Sequence, residues 1–443
     1  MTRRSQAIAL VAGLAITLTA CGGDDGDETP AEATPEPTPQ PTADPESLEG
    51  SLIWWDTSDP QNEGPAFREL ISQFNEVYPN VTIDYQSVPF GDAQNSFKTA
   101  AEAGSGAPDI LRAEVAWVPE FASLGYLFAL DGTLLLEDAD DYFETPLSSN
   151  VYGGQTYGVP QVTDALALLY NRALFEEAGL DPDNPPQTWD EVQSAAEALE
   201  GAGVDGIFIN AAGYFLLPFI YGEGGDLVDV ESESIVVNSE ENATGVGVAQ
   251  GLIESGAAPR PPANDSYGTM MTLFKEQQVG MIINGPWEVN NIRNAPEFGG
   301  IENLGIAPVP AGSVTAGAPV GGHNYVVWSG MDEEKADAAI AFISFMNSAE
   351  SQAFLSEELG LLPTRQSAYE IDTVANNEVI SAFGPVIDSA VARPWIPEGG
   401  QFFGPLDEMA VEVLVQDDDP QAALDDVAQT YKAEVVPNYN LPE

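Results

Sequence analysis

Apolar and polar residues follow one another along the chain in patterns that predict alternating strands and helices. The apolar run at residues 51–55 predicts a short buried strand, and apolar side chains three or four positions apart between Phe67 and Val77 predict an amphipathic helix. Residues 81–88 alternate as a strand does, and the next segments predict a helix at 92–103 and a strand that begins at 108. This order of elements favours a parallel α/β sheet.

The alternation continues through the rest of the chain. Further strands are predicted at 166–170 and 325–328, and further helices at 173–178, 188–199, 332–346 and 420–432. Thr188 with Glu191 three residues later has the pattern of a capping box at the start of a helix. The chain shows no internal repeat, and beyond the N-terminal segment it has no apolar run long enough to predict a membrane span.

The charge balance is extreme and excludes several classes of partner. Among 443 residues, 71 are Asp or Glu and 13 are Lys or Arg, which gives a formal net charge of -58. Such a field repels nucleic acids and anionic membrane surfaces. It favours the hypothesis of a salt-rich exterior, where molar salt shortens the Debye length to about 3 Å. The alternative is an acidic surface that serves solubility alone.

The chain contains one cysteine and one histidine, Cys21 and His323. One sulfur excludes intramolecular disulfides and thiolate zinc clusters, and one histidine excludes a two-histidine metal site. We therefore expect no metal and no cofactor.

The first 50 residues have the layout of an export signal followed by an anchor. Residues 1–20 combine an arginine pair with a short apolar run and predict a signal peptide. The run ends in Leu-Thr-Ala-Cys-Gly, which resembles the lipobox of prokaryotic lipoproteins and implies acylation of Cys21. Residues 21–50 are rich in Pro, Thr and acid, so they predict a solvated tether. The alternative is an ordinary secretory signal with an incidental cysteine.

Nucleophilic and phosphate-binding sites find little support. A serine triad would depend wholly on His323, and no Gly-x-Ser-x-Gly turn is present. The glycine runs near Gly222 and Gly321 lack both the Gly-Lys-Ser/Thr ending and the strand-to-helix context of nucleotide sites. A glycosidase that uses two carboxylates stays an alternative, because 71 acids make accidental pairs unavoidable.

Aromatic residues, acids and amides occur directly after predicted strands, and in two of the segments an aromatic residue and an acid stand together. The four segments are residues 54–58, 114–117, 161–164 and 284–287. Aromatic faces that stack on sugar rings, together with carboxylates or amides that bond hydroxyls, are the chemistry of a carbohydrate cleft. A single such pair is more often a core aromatic beside a solvated acid, but several at strand ends favour a site.

These segments carry a family resemblance that covers nearly all of residues 51–436. The order WWDTSDPQNEGPAF, GSGAPDILRAEVAWVPEFASLGYL, YGVPQVTDALALLYN, PQTWDEV and FKEQQVGMIINGPW resembles the maltose/maltodextrin-type extracellular solute-binding proteins of ABC importers. The resemblance implies an α/β, two-lobed periplasmic-binding-protein-like fold (type II) with three interlobe crossovers and an interlobe ligand cleft. By position, the first lobe would comprise 51–161 plus 320–364, and the second 162–319 plus 365–443.

The resemblance also implies a set of ligand-binding residues. Glu114 and Trp117 match first-lobe positions that hydrogen-bond to sugar and stack on it. Asp164, just after the first crossover, matches an acceptor of sugar hydroxyls. Trp287 matches a stacking tryptophan of the second lobe, and Tyr214 matches a cleft aromatic.

Four further positions follow the family pattern more loosely. Ser58 stands in a first-lobe contact segment where a relative has an acid, and His323 lies at the start of a strand that lines the cleft in trehalose/maltose-type relatives. Arg393 and Phe403 match a late second-lobe segment that contributes arginine and aromatic contacts. Ala212 replaces a glutamate of the enteric maltose binder, which removes one polar contact.

The function that the resemblance implies is binding without catalysis. We expect a monomer, anchored by lipid to the outer face of the cell membrane. It would capture maltose, a malto-oligosaccharide or trehalose by closing its lobes and deliver it to an ABC permease. The alternatives are a secreted glycosidase acting on α-glucosides and a binding protein for a different solute. Anionic solutes fit poorly, because the expected cleft contains Glu114 and Asp164 and few cations.

Overall fold

The computed structural model describes residues 45–442. The expected signal peptide at 1–20, the expected lipidation site Cys21 and the tether up to residue 44 lie outside the described residues. Leu48 is already buried in a hydrophobic core, so the folded body includes the last residues of the segment expected to be a tether. Within residues 45–442, no helix combines the length and the apolar character that crossing a membrane requires.

The described part of the chain alternates strands and helices. The strands are β1 Gly50–Asp56, β2 Val81–Ser87, β3 Ile110–Glu114, β4 Val151–Tyr152, β5 Gln155–Thr156, β6 Gly158–Ala165, β7 Ala167–Asn171, β8 Asp205–Phe208, β9 Val228–Asp229, β10 Ser234–Ile235, β11 Val279–Asn284, β12 Leu304–Pro308 and β13 Val320–Val327. The α-helices are α1 Gly64–Val77, α2 Phe90–Glu102, α3 Trp117–Ser123, α4 Glu144–Ser148, α5 Arg172–Glu177, α6 Trp189–Gly201, α7 Gly213–Gly222, α8 Glu240–Glu254, α9 Ser266–Lys275, α10 Val289–Arg293, α11 Ala336–Met346, α12 Ala349–Leu359, α13 Asp372–Ala375, α14 Glu378–Asp388, α15 Phe403–Leu414 and α16 Pro420–Thr430.

Where sequence and structure differ at element ends, the cause is local. The first helix begins at Gly64 rather than Phe67, because Pro65 suits the first helical turn although it adds nothing to the apolar pattern. Strand β13 begins at Val320, well before the predicted 325, because its first part contains two glycines and shows no strand pattern. Thr188 caps α6 as predicted by accepting a hydrogen bond from the amide of Glu191 at 3.3 Å.

Two main sheets organise the fold. The first has the strand order β2-β1-β3-β13-β6, and the second has the order β12-β7-β11-β8. The expected parallel arrangement is confirmed for β1, β2 and β3 and is also found between β8 and β11, but both sheets are mixed. Strand β13 runs antiparallel to β3 and β6, and β7 runs antiparallel to β11 and β12. These strands enter their sheets from the other sheet instead of through a helical crossover, so nothing forces them to be parallel.

Each sheet has its own hydrophobic core. In the first core the fully buried Trp54 makes edge contacts with Phe67 at 5.4 Å and Phe342 at 5.5 Å between ring centroids. In the second core Trp189 stacks on Phe219 at 4.0 Å. Separate cores are what two lobes require, since each can then move as a body.

The chain changes sheet at Leu166, between β6 and β7, and returns between β12 and β13. The third passage lies between Leu361, which packs in the first core, and Leu362, which packs in the second. Arg365 anchors this third passage through ion pairs to Asp138 at 2.6 Å and Asp141 at 3.0 Å. Its Nε also donates to a backbone carbonyl at 2.7 Å.

Candidate ligand-binding site

A cavity of about 640 Å³ lies where the two sheets face each other. Its walls come from the ends of β1, β3, β6 and β11, from the start of β13, and from the segment around residues 393–407. Open α/β folds place ligands beyond the carboxyl ends of their strands, where loops from neighbouring strands meet. The volume is in the usual range of about 300–1,000 Å³ for small-molecule sites.

Every ligand-binding residue expected from the sequence lines this cavity. The structure brings together Ser58, Glu114, Trp117, Asp164, Tyr214, Trp287, His323, Arg393 and Phe403. Their exposure differs: Asp164, Ser58 and Arg393, which we call the floor, are at least nine-tenths buried, as is Trp117, whereas the other members of the set remain partly exposed.

An ion pair joins two members of this set that lie far apart in the sequence, Glu114 and Arg393. The guanidinium of Arg393 hydrogen-bonds to the carboxylate of Glu114, and its Nε donates to the carbonyl of Val320 at 2.9 Å. The same guanidinium lies 5.6 Å from the ring centroids of both Tyr214 and Phe403. Arg393 therefore holds one acid and two aromatic rings around a single buried charge.

The carboxylate of Asp164 has no hydrogen-bond or ion-pair partner within the described part of the chain, although Asp164 is only 7% exposed. Its pKa is raised to about 7, chiefly by burial; Arg393 and Arg112 oppose this rise and Glu114 adds to it. A Cβ atom at Gly321 would lie 2.1 Å from its Oδ1, so only glycine permits the opposing strand to approach this closely. Asp164 thus offers a buried acceptor to a ligand.

His323 is a second polar group without a partner. Both ring nitrogens are buried and make no hydrogen bond to any described residue. Burial lowers the pKa of His323 well below its usual value, and Arg112 and Arg393 lower it further, so the ring is neutral. A neutral imidazole has one donor and one acceptor nitrogen, which suits hydroxyl groups.

On the facing wall, hydrogen bonds fix Trp287. Its Nε1 donates to the hydroxyl of Tyr267 at 2.7 Å, and that hydroxyl donates to Glu288 at 2.6 Å. Asn291 donates to the other oxygen of Glu288 at 2.8 Å. Because the indole nitrogen is occupied, Trp287 offers the cavity an aromatic surface held in one orientation.

A buried network of polar side chains forms part of the cavity wall on the side of β1 and β3. Arg112 donates to Gln161 at 2.8 Å and to Glu63 at 3.2 Å, and its Nη1 lies 3.9 Å from Asp56. The hydroxyl of Ser58 donates to Asp56 at 2.5 Å, so this donor is already used within the protein. Burial raises the pKa of Glu63 to about 7 although Arg112 opposes it.

Sequence reasoning missed several cavity residues: Asn62, Glu63, Phe90, Arg112, Tyr267 and Glu288. For Phe90 the sequence held one local signal: it follows Pro89 at the start of a helix, directly after a strand, where loops that line a cleft are expected. The others lie close to segments that were singled out, but nothing local separates them from neighbouring polar residues. Within residues 45–442, no group of three or more His, Cys, Asp or Glu side chains is arranged to hold a metal ion.

The sequence matches the family described as bacterial extracellular solute-binding protein over residues 57–353. The fold is similar to that of the GacH receptor of Streptomyces glaucescens, solved unliganded and in complex with acarbose and an acarbose homolog. That similarity has a TM-score of 0.84 and 40% identity and covers 89% of this chain and 100% of the receptor chain.

Two further relatives are named for the sugars that they bind. The maltotriose-binding protein of Pyrococcus abyssi is 25% identical over 88% of this chain and 82% of its own length. The cyclic alpha-maltosyl-1,6-maltose binding protein of Arthrobacter globiformis is 25% identical, with a TM-score of 0.72, over 88% of this chain and 100% of that chain.

Proposed function

This chain belongs to the bacterial extracellular solute-binding proteins, and from that membership we propose that it captures an α-linked di- or oligosaccharide for an ABC importer. The ligands we propose are maltose, short malto-oligosaccharides and trehalose. The sugars named for the relatives from Pyrococcus abyssi and Arthrobacter globiformis support this class.

The observation that carries the proposal is the convergence of nine residues, expected from distant parts of the sequence, on one cavity between the two sheets. The cavity combines aromatic surfaces with unpartnered polar groups, foremost Trp287 with Asp164 and His323. Pyranose rings need both, because their C–H faces are apolar and their hydroxyl groups both donate and accept hydrogen bonds.

The mechanism we propose is lobe closure. A sugar that contacts both walls of the cavity binds the closed form more tightly than the open form, so its binding shifts the population towards closure. The closed protein with its bound sugar would then dock on the permease and deliver the sugar to it. We propose that the first lobe comprises residues 51–165 plus 320–364 and the second lobe residues 166–319 plus 365–443. The first boundary moves from 161 to 165, because β6 lies in the first sheet up to Ala165.

Three further parts of the proposal come from the sequence: a signal peptide at 1–20, acylation of Cys21, and a tether that holds the body outside the membrane. The net charge of -58 supports a salt-rich exterior.

Titration of intrinsic tryptophan fluorescence in molar salt tests the ligand assignment. We expect emission changes with maltose, maltotriose or trehalose, because Trp287 lines the cavity. If all three leave the emission and a parallel calorimetric titration unchanged while the protein is folded, the assignment fails.

A separate incubation tests the alternative of a glycosidase. The purified protein is incubated with malto-oligosaccharides, and the products are separated by chromatography. We expect intact sugar after prolonged incubation. Released glucose or shorter chains would contradict a purely binding function.

A further inference from the structure

Phe90 exposes an unusually large aromatic surface at the edge of the cavity. It is the first residue of α2, its side chain is 50% exposed, and it lines the cavity. Two other phenylalanines, Phe128 and Phe143, are 39% exposed, and neither lines the cavity. Phe90 therefore differs from ordinary surface aromatics by facing the space where a ligand would lie.

The ring of Phe90 covers Trp117. The two ring centroids are 5.1 Å apart and the planes are inclined by 31°, while Trp117 is only 5% exposed. The ring of Phe121 packs next to Trp117, with the two ring centroids 6.3 Å apart. On this wall the accessible aromatic face thus belongs mainly to Phe90, and Trp117 packs behind it as a rigid support.

We propose that Phe90, backed by Trp117, is a stacking platform for an outer sugar ring of a bound oligosaccharide. This inference rests on the proposed function and narrows it: the site favours saccharides of three or more rings over disaccharides. The apolar C–H face of a pyranose ring matches an exposed aromatic face in size and in lack of polar groups.

Burial separates the platform from the floor of the cavity. Asp164 and Ser58 are each 7% exposed, whereas Phe90 is half exposed and lies at the rim. A short ligand bound to the buried acceptor is held mainly by floor contacts. Additional rings extend outwards and reach the apolar rim.

Two neighbours of the platform supply what an outer ring needs besides stacking. The centroid of the His323 ring lies 6.0 Å from that of Phe90, with the two planes at 73°, and the His323 nitrogens have no partner among described residues. The backbone at Gly400 approaches from the opposite segment: a Cβ there would lie 3.2 Å from Cδ1 of Trp117 and 2.9 Å from Nε2 of Gln94. The platform thus has the unpartnered His323 ring, which can hydrogen-bond to a hydroxyl group, on one side and the closely packed backbone of Gly400 on the other.

The test compares Phe90→Ala with the matched control Phe128→Ala, another exposed phenylalanine outside the cavity. Calorimetric titrations with maltose, maltotriose and maltotetraose give the affinities. Phe90→Ala should weaken maltotetraose binding about tenfold, the effect of losing roughly 50 Å² of apolar contact with its stacking. Maltose binding should change less than twofold. Phe128→Ala should leave both affinities unchanged, and Phe90→Trp should keep the affinity for maltotetraose.

Two results would overturn the platform: no loss of affinity in folded Phe90→Ala, or an equal loss for maltose and maltotetraose. Both leave the proposed function standing, because the wild-type protein still binds sugar. If the folded wild-type protein binds neither these sugars nor trehalose, the proposed function itself fails, and the platform fails with it.

Discussion

The side-chain amide of Asn62 makes hydrogen bonds from the first sheet's side of the cavity to residues that follow β11 of the second sheet. Asn62 lies in the loop between β1 and α1, next to the cavity, and is 8% exposed. Its Nδ2 donates to the carbonyl of Trp287 at 3.1 Å, and its Oδ1 accepts from Nδ2 of Asn290 at 2.8 Å. Both partners follow β11 of the second sheet, so under the proposed lobe closure these hydrogen bonds would form only in the closed protein.

We predict that Asn62→Ala weakens ligand binding by destabilising the closed form. Two hydrogen bonds, each worth a net 0.5–1.5 kcal/mol, together contribute about 1–3 kcal/mol to closure. The dissociation constant should therefore rise roughly 5-fold to 150-fold. The open form loses nothing, because water then solvates the freed carbonyl and amide.

Two measurements check this prediction. Calorimetric titration gives the dissociation constant, and small-angle X-ray scattering with saturating sugar gives the fraction of closed protein. Asn290→Ala should weaken binding less than Asn62→Ala, because it removes only one of the two hydrogen bonds. The double variant should lose less than the sum of the single losses, because the two residues share that hydrogen bond.

Asn376→Ala is the matched control, since Asn376 is exposed and its side chain donates only to Asp372 of the same short helix, at 2.9 Å. Its affinity should equal that of the wild-type protein. If folded Asn62→Ala binds sugar as tightly as this control, the reasoning about the interlobe hydrogen bonds is refuted.

Three further predictions follow from the site and the surface. Trp287→Ala should weaken sugar binding more than tenfold through lost contact area while the protein remains folded by circular dichroism; an unaltered affinity would remove Trp287 from the site. The pKa of Asp164 is about 7 in the folded protein against an ordinary value of 3.8, so its contribution to stability is complete below about pH 4 and is lost as the pH rises through 7. Asp164→Asn should therefore make the free energy of unfolding, measured in denaturant titrations, fall less between pH 4 and 7 than it does in the wild-type protein. Glu102→Gln, at an exposed position, should leave that fall unchanged. If Asp164→Asn shows the same pH dependence as the wild-type protein, the burial of Asp164 does not affect stability as argued. The melting temperature should rise from low to molar salt because the net charge is -58, and no rise would rule out adaptation to a salt-rich exterior.

Much of the fold was predictable because periodicity is local. The run at 51–55 and the spacing from Phe67 to Val77 predicted β1 and α1 to within a few residues. The strand directions were not predictable in this way. An apolar pattern is the same whichever way a strand runs, so nothing local distinguishes β13 as antiparallel to its neighbours.

The candidate site was predictable as a set of positions but not as a set of interactions. The resemblance singled out Trp117 as a stacking residue, and the structure shows its ring covered by Phe90. Ser58 was expected as a polar contact, and its hydroxyl already donates to Asp56. Such details depend on which side chain lies between another and the solvent, and neighbours from distant segments decide this.

The sequence alone determined the alternation of elements, the acidic charge, the family and nine of the positions that line the cavity, because each depends on local pattern or residue type. Only the tertiary structure decided that Asp164 is buried without a hydrogen-bond partner among the described residues, that Phe90 rather than Trp117 exposes its ring, and that Asn62 bonds to the other sheet's region. The physical reason is that desolvation and hydrogen bonding depend on everything within a few ångströms. At Asp164 those neighbours include Gly321 and Arg393, which lie far from it in the chain.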